Sequence, residues 1–297
     1  MARICLTGAG GMLGQAFLAG LGDHEVTTLG RDVLDADHPD EIVAAIVRSG
    51  AEIVINCAAH TDLEAAEQEP SLDWRVNAAL PSVMGDACRR SGAQLVHLSS
   101  TGCYGNWKGA PYTEADQPRP TTAHHRAKIA GEESVRLSGC SSLIIRTGWL
   151  FGGAPAQPKN FVWKRLREAA LKSEMTSDTE QRGCPTRDLD VVRQIMTLLE
   201  ARESGVFNVV ATGFASRFDY VARIVKSAKL PCTVLPGPAF RRMAAVSHNE
   251  TAINERLTKL GLDRMPRWEA ALDGYVNELR ATPEWCDALG EGSAIPR

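Results

Sequence analysis

A chain of 297 residues, 44% of them hydrophobic and 23% charged, has material for a full α/β core with a smaller attached lobe. Its formal net charge of -3 excludes an electrostatic case for nucleic acid or an anionic membrane as the main partner. A small molecule is the expected partner.

Residues 4–6 read as a short buried strand, and Thr7-Gly8-Ala9-Gly10-Gly11-Met12-Leu13-Gly14 turns it into a helix carrying Ala16, Phe17 and Leu18. Gly8, Gly11 and Gly14 form a G-x-x-G-x-x-G series. Such spacing lets the turn be tight, the backbone approach a pyrophosphate, and a helix N-terminus offer free N–H groups to negative charge. Glycines also serve ordinary turns, but the preceding strand, the following helix and the place at the start of the chain favour a dinucleotide site.

Residues 25–29 read as the second strand, ending in Gly30-Arg31-Asp32. An acidic residue here accepts bonds from the adenosine ribose, whereas an arginine accommodates a 2'-phosphate. Arg31 therefore points to NADP(H), while Asp32 beside it leaves NAD(H) open; a solvated surface charge is the bland alternative for Arg31. Residues 40–48 suit an amphipathic helix, and residues 52–57 an apolar strand of the parallel-sheet kind. The small residues that follow, from Cys57 through Ala58 and Ala59 to His60 and Thr61, let a cofactor lie against the sheet edge.

Residues 72–91 read as one long helix and residues 95–98 as a strand running into Ser99-Ser100-Thr101. A loop over 102–122 leads to a helix containing His124, His125 and Lys128, and residues 143–146 form another strand. Four strand–helix alternations predict a doubly wound parallel sheet, a Rossmann fold of α/β class, with right-handed crossovers. The dinucleotide-binding domain is expected over 1–152, with a returning segment near 185–212 that includes a strand at 206–210. The smaller C-terminal substrate lobe takes 153–184 and 213–290, with helices at 160–172 and, leaving the returning segment, at 189–201; 291–297 is a loose tail.

The cysteines are Cys5, Cys57, Cys88, Cys103, Cys140, Cys184, Cys232 and Cys286, with no Cys-x-x-Cys pair and no metal-ligand spacing. A reducing compartment and no metal site are the expectation. The N-terminus enters a strand without a basic and apolar leader, and no apolar run approaches the roughly 20 residues that span a bilayer. The expected location is the cytoplasm.

Several stretches taken together resemble the extended short-chain dehydrogenase/reductases, and among them the dTDP-4-dehydrorhamnose reductase branch. They are the Gly8/Gly11/Gly14 turn, Val33-Leu34-Asp35, Asn56-Cys57-Ala58-Ala59-His60-Thr61, Val76-Asn77-Ala78 and Val96-His97-Leu98-Ser99-Ser100. Further on come Lys128-Ile129-Ala130-Gly131-Glu132, Arg146-Thr147-Gly148-Trp149, Asn160-Phe161-Val162 and Gly183-Cys184-Pro185-Thr186. After about residue 211 the likeness thins, and the family's Arg-Pro pair has no counterpart near 246–254.

The resemblance implies reduction of a 4-keto-6-deoxy sugar on a nucleoside diphosphate, using NADPH or NADH. It puts Gly11, Met12 and Leu13 under the pyrophosphate, Asp35 near the adenine, and Ala58, Ala59, His60 and Thr61 along the nicotinamide half. Ser99 and Ser100 would face the sugar, and Trp149 would stack near it. Homodimers are frequent among such proteins, though no residue here points to an interface. Each position also has a plainer reading: His60 as a core histidine, Trp149 as lobe packing, the serines as turn formers.

One departure matters. The family places a Ser/Thr with a Tyr four residues before a Lys on one helix, so that the ammonium stabilises a phenolate. Here Lys128 follows His124, and the tyrosine is missing. Histidine's ordinary pKa is about 6.5, so beside an ammonium it is mostly neutral at pH 7, and neutral imidazole gives up its N–H poorly. A working His124 then favours mildly acidic conditions, unless a substrate phosphate or a carboxylate stands beside it.

Three readings follow. The first is an NADP(H)-dependent ketoreductase using His124 as acid with Lys128 and Ser100, or borrowing the phenol of Tyr104 or Tyr112. In the second, His124 serves a non-redox epimerase-type reaction on a nucleotide sugar. The third is a catalytically silent NADP-binding partner subunit. Lys128 and Ser100 favour an enzyme, since a silent subunit needs neither; Lys128 also has a second family role, binding the nicotinamide ribose.

Overall fold

The computed structural model, which describes residues 1–289, winds the chain through strand–helix alternation into a six-stranded parallel sheet. Its first half comprises β1 (Arg3–Thr7), α1 (Met12–Gly20), β2 (Glu25–Leu29), α2 (Pro39–Ser49), β3 (Ile53–Asn56), α3 (Leu63–Gln68), α4 (Pro70–Trp74), α5 (Leu80–Ser91), β4 (Gln94–Ser100), α6 (Ala123–Leu137) and β5 (Ser142–Thr147). There follow β6 (Leu150–Phe151), α7 (Phe161–Leu171), β7 (Glu174–Asp178), β8 (Arg182–Gly183), β9 (Thr186–Arg187), α8 (Asp188–Glu200) and β10 (Gly205–Asn208). The described residues end with β11 (Ala215–Ser216), α9 (Arg217–Ala228), β12 (Thr233–Gly237), α10 (Glu255–Leu260), α11 (Trp268–Arg280) and α12 (Pro283–Leu289).

Strand order is β10-β5-β4-β3-β1-β2, so the sheet reverses direction of growth between β1 and β3. Ligands of open α/β sheets bind outside the carboxyl ends of strands at such a reversal. Alternation within the strands feeds two cores: Ile4, Leu6, Ile55 and Val96 pack with Phe17 and Ile195, while Cys5, Val54 and Leu95 pack with Ile42, Met84 and Val135. All six residues of β5 are buried, as a parallel strand covered on both faces requires. β10 returns to the sheet beside β5, with Val206 opposite Ile144. A further apolar cluster, including Phe151, Trp163, Leu166, Tyr220, Leu272 and Tyr275, joins α7, α9 and α11.

Local signals explain the helices. α2 opens on Pro39 with Asp40 and Glu41 in its first turn, ends with Arg48, and is capped by Gly50 at φ 60°. Each feature suits its own end of the helix dipole or its own backbone conformation. The helix expected over 72–91 is continuous, running through α4, a π-helical turn at Arg75–Ala79, and α5. Pro81 has no N–H for the Asn77 carbonyl, and the Leu80 N–H bonds back to the Arg75 carbonyl, five residues earlier. Residues 63–68 form α3, with Asp62 accepting from the Ala65 N–H as its cap.

Among the described residues no helix is long and apolar enough to cross a membrane. The expected tail at 291–297 lies outside the described residues.

Candidate functional site

The glycine turn follows β1. Gly8 has φ 68°, and a carbon added to it would lie 2.5 Å from the Cys57 carbonyl carbon, so this residue lets the turn pass against the end of β3. At Gly14 an added carbon would lie 2.2 Å from the Gly8 carbonyl oxygen, which fixes the close seat of α1 on the turn. Gly10 faces open space, with nothing within 4 Å of an added carbon. Gly11 caps α1 without a side-chain bond, and no acidic residue stands in the first turn. The first turn of α1, with its Met12 and Leu13 amides, thus carries no acidic side chain of its own, which suits an anion.

Arg31 is exposed just beyond β2. Asp35 accepts from the Asp37 N–H at 3.0 Å and is half-exposed. Across the sheet reversal, Asn56 ends β3 as a buried polar hub: its Oδ1 accepts from Thr7 Oγ1 at 2.8 Å and from the Ala58 N–H at 3.1 Å. These bonds turn Ala58, Ala59 and His60 over the edge as partly exposed residues, with Thr61 exposed and in contact with Lys159.

His60 introduces a residue that the motifs did not single out. Asp73 of α4, 1% exposed, takes His60 Nδ1 at 2.9 Å, Asn77 Nδ2 at 2.8 Å and His124 Nδ1 at 3.1 Å on a single oxygen, Oδ1. Burial raises its carboxyl, but the bonds from His124 and His60 outweigh that and hold it below the usual carboxylate range. The carboxylate that a working His124 needs is therefore present. Asp73 and Asn77 stand one turn apart on one face, which is the sequence signal that could have found them. Gly131 brings α6 onto this turn, since an added carbon there would lie 2.2 Å from the Asn77 carbonyl oxygen.

His124 and Lys128 share the buried face of α6, and Lys128 Nζ donates to the Leu98 carbonyl at 3.0 Å. Burial pushes the Lys128 ammonium below the usual lysine range. Ser100 accepts from the Gly102 N–H at 3.1 Å and lies 3.4 Å from His125 Nε2 rather than against His124. Ser99, expected along the sugar, is buried and donates to Glu132; adjacent strand residues face opposite ways, so only Ser100 looks out from the sheet end. Glu132 in turn grips Arg146 through both oxygens.

The borrowed phenols fail. Tyr104 and Tyr112 are fully buried and stacked at 4.9 Å. The Tyr104 hydroxyl donates to Asn208 Oδ1 at 2.7 Å and burial pushes it up to about 12; the Tyr112 hydroxyl donates to the Gly105 carbonyl at 3.1 Å. Both hydroxyls are thus turned into the protein and away from His124.

Trp149, at φ 47°, donates its indole N–H to Glu250 Oε2 at 2.7 Å, and the Arg217 guanidinium lies 3.5 Å from its ring centroid. Burial pushes the Glu250 carboxyl up and the Arg217 guanidinium down. Neither residue carries a local motif, and only the fold brings them to Trp149.

A family model described as RmlD substrate binding domain matches residues 2–281, beyond the point where the motif likeness thins. The dTDP-4-dehydrorhamnose reductase of Mycobacterium tuberculosis (strain ATCC 25618 / H37Rv) is 30% identical over 283 residues, covering 91% of each chain. A probable dTDP-4,6-dihydroxy-2-methyloxan-3-one 4-ketoreductase of Streptomyces antibioticus is 31% identical, over 91% of this chain and 93% of its own. The crystal structure of dTDP-4-dehydrorhamnose reductase from Bacillus anthracis str. Ames in complex with NADP has a TM-score of 0.89 at 27% identity, covering 93% of this chain and 99% of that one.

Proposed function

Because the chain belongs to the RmlD substrate binding domain family, we propose that it is an NADP(H)-dependent ketoreductase of a 4-keto-6-deoxy sugar carried on a nucleoside diphosphate. The observation that carries this reading is the shared sheet edge: the uncapped glycine turn lies beside the loop whose His60 is tied through Asp73 to His124.

The open cradle at Gly10 and the free first turn of α1 suit a dinucleotide diphosphate. Gly8 to Gly14 would hold it, Arg31 the 2'-phosphate, Asp35 the adenine side, and Ala58 to Thr61 with Lys128 the nicotinamide side. When bound, that cofactor supplies the hydride. His124 delivers a proton from Nε2 to the carbonyl oxygen, since Nδ1 is turned to Asp73. Ser100 donates to the same carbonyl oxygen, and Trp149, held by Glu250, packs against the sugar nucleotide.

The test is NADPH oxidation, followed by absorbance, with a panel of nucleotide-linked 4-keto-6-deoxy sugars from about pH 5 to 9. The native protein should turn over, decline at alkaline pH, and lose activity in His124→Phe. Binding of NADPH without consumption by the native protein, with activity gained in His124→Tyr, would instead mark a disabled reductase.

A further inference from the structure

Asp73 is an unusual buried carboxylate. Three donors crowd Oδ1, while Oδ2 is buried with no hydrogen-bond partner among the described residues. Hydrogen bonds to one oxygen leave much of the charge uncompensated in a site 1% exposed, so the carboxylate calls for a cation beside it. The titratable groups facing it and His124 are His60 from the loop after β3 and His125 and Lys128 from α6. Glu67 of α3 bonds the Ala123 N–H at the start of that helix. Lys128 is held at the Leu98 carbonyl, and His125 turns its nitrogens to Thr122 and Ser100. Among the described residues, His60 and His124 alone present a ring nitrogen to Asp73.

We propose that Asp73 is the positioning residue for His124, fixing Nδ1–H toward the carboxylate and supplying the counter-charge with which the ring carries its second proton on Nε2. This rests on the reductase reading. In the reduction the Nε2–H bond of His124 breaks and an O–H bond forms on the former carbonyl oxygen, while the reduced nicotinamide's hydride makes the new C–H bond. His124 is left neutral with Nδ1–H still on Asp73, and a proton taken up from the buffered solvent returns to Nε2 after product leaves. His60, whose side chain is 20% exposed, shares the same oxygen and is the imidazole through which the carboxylate meets solvent.

Imidazole 15N NMR on the whole protein, with His124 assigned by its loss in His124→Phe, tests this directly. Neutral His124 should be the Nδ1–H tautomer. Asp73→Asn keeps an acceptor but removes the charge, and should lower the protonation midpoint of His124 by about one pH unit or more. The alkaline limb of NADPH-dependent ketone reduction should move by the same interval, with kcat affected more than KM. A merely structural Asp73 would cost stability and leave the midpoint in place. An unchanged midpoint in Asp73→Asn, or an Nε2–H tautomer in the native protein, overturns the proposal. The tautomer is read on native protein, so it decides the matter even where the variant misfolds. Because the NMR needs no turnover, an inactive protein would sink the reductase reading separately.

Discussion

The imidazole of His125 occupies the place of a side chain at Gly102: a carbon added to Gly102 would lie 2.3 Å from both Cε1 and Nε2 of that ring. The ring is held there by Thr122 Oγ1 at 2.9 Å from Nδ1, and Ser100 Oγ lies 3.4 Å from Nε2. Gly102 and His125 are thus a fitted pair. Gly102→Ala should overpack the contact and cost about 1–3 kcal/mol, seen as a lower urea midpoint at unchanged slope. A midpoint equal to the native one would show that the ring moves aside freely.

Acid should destabilise the protein well above the carboxylate range. Burial pushes His125 and His97 down to about 3, whereas unfolded histidine titrates at about 6.5. The folded state therefore refuses protons that the unfolded state takes up. The stabilisation is complete above pH 6.5 and declines as pH falls toward 3, by up to about 1.4 kcal/mol per pH unit for each histidine. Urea unfolding at a series of pH values should show this slope, reduced in His125→Gln. Stability flat between pH 6 and 4 would contradict it.

Glu132 and Arg146 form a buried bidentate pair beneath the end of β4, with Oε2 and Nη2 2.6 Å apart and Ser99 on the same carboxylate. Glu132→Gln strands the guanidinium, which is 6% exposed, and should cost about 3–5 kcal/mol. The double variant Glu132→Gln, Arg146→Met should recover part of that loss. Equal stability of native and Glu132→Gln proteins would mean the pair is worth nothing here.

Cofactor choice should rest on Arg31. As an exposed cation after β2 it has freedom to meet a 2'-phosphate, so Arg31→Ala should weaken NADPH binding by about tenfold or more and leave NADH unaffected. Fluorescence titration with both nucleotides reads this. Equal losses for the two would remove Arg31 from the 2'-phosphate.

The parallel strands, the glycine turn and the face shared by His124 and Lys128 were legible in the sequence because each is written by neighbours within a few residues. Gly8 declares a turn by its own backbone freedom, and positions four apart on α6 declare a common face. The π-helical turn inside the helix over 72–91 was not anticipated, although Pro81, which offers no N–H to the Asn77 carbonyl, stands in the sequence. What the tertiary structure alone decided is the company of each reactive group. Asp73 meets His124 from 51 residues away, and Glu250 meets Trp149 from 101. Strand alternation and close helix packing sent Ser99 inward and left Ser100 beside His125. Such pairings depend on distances set by packing whole elements against one another, and no local pattern of residue types carries that information.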